Sequence, residues 1–137
     1  MHLMKRWILF FTVGFAISVM AAHAHHSIAG AYDSSQKVTI EGIVAQFQFI
    51  NPHPFLTMDV KAGSGGVQRW RLEMDNRSEL IQVGMTSETL KQGDRIVVTG
   101  SLARAQSQSL YIQRLDRPAD GFWYEQVGSS PRIRAPQ

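Results

Sequence analysis

From Val38 onward, apolar side chains recur at every second position in short runs, and glycines or polar clusters separate one run from the next. That repeat is the two-residue period of a β-strand rather than the 3.6-residue period of a helix, so the chain is expected to be mainly β. Val38-Thr39-Ile40-Glu41 sets one parity; Ile43, Ala45, Phe47 and Phe49 continue in the other, with Gly42 at the change. A glycine there predicts a bulge or sharp coil that lets one long strand serve two neighbours. Leu56, Met58 and Val60 mark a second strand, Gly63 to Gly66 a hairpin tip, and Trp70, Leu72 and Met74 the inward side of a third. Asn76 followed three positions later by Glu79 is a helix start, and Leu80, Ile81 and Val83 precede a stop at Gly84. Arg95 to Thr99 is a β-branched fourth strand bending at Gly100, and Leu110 to Gln113 is the fifth.

The order β-β-β-α-β-β predicts an all-β (mainly) chain: a small five-stranded OB-like β-barrel with one short helix between strands three and four. A small open sandwich is the alternative. With 137 residues, 44% of them hydrophobic, one core is expected. The expected organisation is a signal peptide over 1–24, an N-terminal segment bearing histidines over 25–37, the barrel domain over 38–117 and a loose tail over 118–137. Phe122, Trp123 and Tyr124 are expected to pack locally within that tail.

Lys5 and Arg6 precede an apolar run from Trp7 to Ala22 that ends in Ala22-His23-Ala24. This is the charged region, apolar stretch and small-residue cleavage site of a secretory signal, with cleavage expected after Ala24. The run is shorter than the ~20 residues a membrane-spanning helix needs, so a soluble product in the periplasm or outside the cell is expected, without a stable membrane anchor. Removing two of the 14 basic residues lowers the net charge from +3 to +1. The remaining arginines interleave with acidic residues, which argues against a nucleic-acid partner. Without cysteine there is no disulfide and no thiol chemistry.

His25-His26-Ser27, Tyr32-Asp33, Asn51-Pro52-His53, Trp70 with Glu73, and Leu90 to Asp94 leading into Val97 to Gly100 together resemble a family of small secreted bacterial domains of unknown function. That family has a mature N-terminal His-His-Ser motif and an Asn-Pro-His loop motif. The resemblance spans His25 to about Arg117 and implies no particular activity. Ile28 stands where an aromatic is usual, and Pro54 follows His53 where the family is more variable.

Three histidines follow Ala24, namely His25, His26 and His53. Cleavage there would give His25 a free α-amine beside its imidazole. A second imidazole would then complete a three-nitrogen site suited to Cu(II). His53, stiffened between Pro52 and Pro54, is the expected partner, and His26 is auxiliary. The competing expectation is that all three histidines are ordinary end and loop residues. Met58, Met74 and Met85 lie in runs that read as core.

The other chemistry is weaker. Asp33, Glu41, Asp59, Glu73 and Asp75 read as water-facing strand charges. Ser27 has no nucleophile-elbow context, and Gly63 to Gly66 has no phosphate-loop context. The sequence leans away from an enzyme. The expected function is an exported soluble module that binds copper. Its alternative is a metal-free periplasmic module holding a protein, peptide or glycan on the barrel face, through aromatics such as Trp70 and Phe55.

Overall fold

The computed structural model describes residues 28–128 and 130–136. The expected signal peptide, with His25 and His26, lies outside the described residues. The chain divides into two compact units, Met1–Ala31 and Tyr32–Gln137. Of the first, the described part is one helical turn over 28–31.

The second unit is mainly β. Its strands are β1 (Tyr32–Gln48), β2 (Phe55–Lys61), β3 (Val67–Glu73), β4 (Arg95–Ala103), β5 (Ser109–Arg117), β6 (Phe122–Val127) and β7 (Ser130–Arg134), with helix α1 (Arg77–Gln82) between β3 and β4. They form one sheet in the order β3-β2-β1-β4-β5-β6-β7. All neighbours in that order are antiparallel, and a short parallel pairing of Arg71–Glu73 with Ser109–Tyr111 joins β3 to β5. Five strands are thereby closed into a ring, and β6 and β7 extend the sheet beyond it. Seven strands therefore replace the expected five, and one continuous sheet replaces the open-sandwich alternative.

β1 serves two neighbours, as its glycine predicted. It pairs with β4 from Tyr32 to Ile43 and with β2 from Ile43 to Gln48. Gly42 is required at the crossover because a Cβ there would stand 2.2 Å from the Asp59 carbonyl oxygen. The parity change lies elsewhere, however. The register shifts between Val44 and Gln46, so Val44 is buried while Ile43 is 43% exposed. The inward set is Val38, Ile40, Val44, Phe47 and Phe49. An extra residue at Ala45 imitates an earlier change of face, because Ile43 and Ala45 are both apolar.

Two further expectations are corrected. β1 begins at Tyr32, inside the N-terminal segment placed before the barrel domain, because a second register shift between Asp33 and Lys37 interrupts the period. There the Asp33 carboxylate accepts from both the amide and the hydroxyl of Ser35. The segment read as a loose tail contains β6 and β7. Phe122 and Tyr124 alternate with Trp123 and Glu125, and both are fully buried; four alternating residues amid Pro, Gly, Ser and Arg were too few to stand out.

The core is one cluster, including Leu56, Met58, Leu72, Met74, Leu80, Met85, Ile96, Val98, Leu110, Ile112 and Leu115. Each such side chain contributes about 1.5–3 kcal/mol on leaving water. The three methionines belong to this core, as their spacing indicated. At α1 the Asn76 side chain accepts from the Ser78 amide at 2.9 Å, and Leu80 is the buried residue. Gly84 (φ +97°) follows, where a left-handed backbone favours glycine. Gly100 stands where the register between β4 and β5 shifts, and a Cβ there would stand 2.2 Å from the Tyr111 carbonyl oxygen. Arg117, only 9% exposed, pins the β5–β6 turn to the connection after α1. It donates to the Thr89 carbonyl at 2.6 Å, to Asp94 at 2.7 Å and to both oxygens of Asp120.

Candidate functional site

His53 lies in the β1–β2 loop between Pro52, which follows a cis peptide bond, and the buried Pro54. The loop is held from both flanks: the Arg77 amide donates to the Pro52 carbonyl at 2.9 Å, and the Met74 amide donates to the Pro54 carbonyl at 3.0 Å. The imidazole is 21% exposed, and its Nδ1 lies 2.9 Å from the Met74 carbonyl oxygen. A carbonyl can only accept, so Nδ1 carries the proton in that bond. The Nε2 lone pair of the neutral ring is then left for a metal or another donor. Met74 is buried core, so the ring is oriented by a rigid element, as outer-sphere partners orient metal-binding histidines.

Beside this ring lies a cluster of carboxylates and phenols. Glu73 Oε1 is 3.7 Å from His53 Nδ1, and Oε2 of the same carboxylate accepts from the Tyr32 hydroxyl at 2.6 Å. Two residues on, Asp75 is 6% exposed and accepts from Tyr111 on one oxygen and from Tyr124 on the other, the latter at 2.7 Å. The Tyr32 and Tyr111 rings meet at 5.6 Å between centroids, which joins the two halves. All three tyrosines of the chain thus donate to this pair of carboxylates.

Burial is the first cause that raises the pKa of each phenol far above the ordinary value of 10.0. The carboxylate each one touches adds to the rise, Glu73 for Tyr32 and Asp75 for Tyr111 and Tyr124. The three hydroxyls therefore stay protonated donors at neutral pH. They offset the cost of holding two carboxylates out of water.

Of the three histidines expected to ligate, the described residues contain His53 alone. Among the described residues no group of three or more His, Cys, Asp or Glu is arranged to hold a metal ion. The reading of Glu73 and Asp75 as water-facing charges is corrected, since Asp75 is buried and Glu73 is 15% exposed. β3 ends at Glu73, so strand alternation no longer governs Asp75. A trace was nonetheless legible. Tyr111 and Tyr124 fall in inward strand runs, and a buried phenol needs an acceptor.

Fold and site together define a mainly β domain, ringed by five strands and extended by two, with a carboxylate–tyrosine cluster beside an oriented loop histidine. The chain belongs to a family of unknown function, DUF6152, whose model matches residues 14–110. No curated protein matches it in sequence. Among solved structures, the ZRD-deleted mutant of TiaS in complex with agmatine is similar at a TM-score of 0.48 and 17% identity, over 72% of this chain and 29% of that one. TiaS in its complex with a transfer RNA and ATP is similar at 0.44 and 15% identity, over 77% and 24%. The chain spans less than a third of those proteins, and a likeness of this degree carries no functional inference.

Proposed function

We propose that this protein is an exported copper-binding module built on an OB-like barrel, in which a signal-cleaved His25 and the loop residue His53 share one Cu(II) ion. The α-amine and imidazole of His25 supply two nitrogens, His53 Nε2 the third, and His26 is an auxiliary donor. The observation that carries the reading is the hydrogen bond from His53 Nδ1 to the Met74 carbonyl, which orients the ring and leaves Nε2 without a hydrogen-bond partner among the described residues.

A second observation supports it. Tyr32, the root of the segment that bears His25, bonds to the carboxylate that also neighbours His53. His25 precedes Tyr32 by seven positions. Glu73 also adds negative charge near the cation, which favours Cu(II). Storage or delivery is the role this reading assigns to the site.

N-terminal sequencing of the exported protein, followed by copper titration, tests this. The form beginning at His25 should bind Cu(II) more tightly than either His53→Ala or a form with its amine acetylated. The expected loss is on the order of tenfold or more in each, about 1.4 kcal/mol per factor of ten. Equal affinity in the parent and His53→Ala refutes the shared site, and a mature terminus away from the histidines refutes the amine ligand.

A further inference from the structure

The ring is closed unevenly. β3 has neighbours on both sides only over Arg71–Glu73, and over Val67–Trp70 its one partner is β2. Closure begins at Gln108, the sole non-glycine residue with a positive φ (57°) among the described residues, whose carbonyl accepts the Arg71 amide at 2.9 Å. Above that point the ring has an open seam, with the β4–β5 loop over it.

Two clefts of about 530 and 630 Å³ flank this loop, and both are lined by Trp70, Gln106, Ser107 and Gln108. The Trp70 indole N–H is buried without a hydrogen-bond partner among the described residues. Such an orphaned donor is costly and gains from any acceptor brought to it. The rest of the lining mixes polar side chains with the small or aliphatic Leu102, Ala103 and Ala105. Gln36 joins the glutamines and Ser107 in supplying amides and hydroxyls, while the loop itself offers no large apolar anchor.

The charge is also distinctive. Arg69 is paired with Asp59 at 2.8 Å and Arg104 with Asp33 at 3.3 Å. Arg71, by contrast, has no acidic partner within ion-pair distance among the described residues. Its guanidinium lies 3.5 Å from the centre of the Phe55 ring, which holds its planar fork in place.

We propose that this seam is a binding site for an acidic saccharide, separate from the copper site. The indole and planar amides suit a hydroxyl-rich ring, and Arg71, the arginine lining these clefts that has no acidic partner among the described residues, suits a carboxylate bonded through two N–H groups. One such arginine in the lining of these clefts is too little for a nucleic-acid backbone, which needs a row of cations. The β4–β5 loop over the seam carries Gln106, Ser107 and Gln108 in place of large apolar anchors, which disfavours a hydrophobic peptide.

The experiment is calorimetric titration of the exported full chain, in chelator, with tetragalacturonate and with neutral maltotetraose. Tetragalacturonate should bind and quench tryptophan fluorescence, and maltotetraose should bind at least about tenfold more weakly. Arg71→Gln, at an exposed side chain, should erase that preference, and Trp70→Phe, which keeps an aromatic filler but removes the N–H, should weaken binding. His53→Ala should bind the acid as the parent does, which separates this site from the copper proposal. No binding of tetragalacturonate by the folded parent, equal binding of the two sugars, or an unchanged preference in Arg71→Gln overturns the proposal.

Discussion

Replacing Tyr124 with Phe removes one oxygen from a side chain with no solvent exposure and leaves the ring in place. The hydroxyl lost is the one that donates to Asp75 Oδ2 at 2.7 Å. Asp75 then keeps Tyr111 as its other phenolic donor, with one carboxylate oxygen facing the core unpaired. A hydrogen bond to a charged group contributes about 1.5–3 kcal/mol, and leaving the buried charge short of a donor places the cost at about 2–3 kcal/mol at pH 7. The pH dependence is the sharper part. In the fold the Tyr124 phenol is raised far above 10.0, first by burial and then by Asp75. Above pH 10.0 the unfolded chain therefore releases a proton that the native one retains. Stability contributed below that pH falls as pH rises, by about 1.4 kcal/mol for one such group by pH 11. The Tyr124→Phe variant has no proton to lose at this position, so the gap between the two proteins should narrow to about 1 kcal/mol at pH 11. Urea unfolding followed by far-ultraviolet circular dichroism at both pH values measures this. A cost at pH 7 below about 0.5 kcal/mol, or a gap that stays constant to pH 11, refutes the reasoning, since surface changes without structural role fall within that range.

Two other substitutions probe the frame around the site. Gly42→Ala puts a Cβ 2.2 Å from a backbone oxygen of β2, so β1 and β2 must part at a cost of about 3 kcal/mol; a thermal midpoint within about 3 °C of the parent would show that the strands yield freely. Arg117→Lys cannot hold the Thr89 carbonyl, Asp94 and Asp120 together, and should cost about 2–3 kcal/mol in urea unfolding at pH 7. The Asp120 carboxyl is held below its usual range chiefly by the Arg117 hydrogen bond, so its contribution exists above pH 3.8 and is lost as pH falls through the lowered value. The difference between Arg117→Lys and the parent should accordingly shrink below pH 3.8, and a constant difference would count against the pairing.

Strands were legible wherever side chains kept period two against a uniform background, as in β2 and β3. Gly42 and Gly100 stood out because only a missing Cβ permits such close backbone approach. β6 and the first residues of β1 were hidden for opposite reasons: the former by the turn-forming residues around it, the latter by the irregular pairing from Asp33 to Lys37. The Pro-flanked His53 was visible as a candidate from local sequence alone. Its partner at Met74 was not, because the bond joins residues 21 positions apart. The carboxylate–tyrosine cluster joins residues up to 49 positions apart, and which phenol meets which acid is decided by sheet order rather than by neighbours in the chain.

The family match stops at residue 110, in the second residue of β5. Yet Phe122 and Tyr124 fill the interior from a strand that lies wholly beyond that limit. A gene fragment trimmed to the matched stretch would encode a protein lacking part of its own centre, with Leu115 deleted and Asp75 stripped of both its phenolic donors, Tyr111 and Tyr124. The stretch the family model matches is thus smaller than the folded sheet, and any boundary chosen for expression belongs after β7.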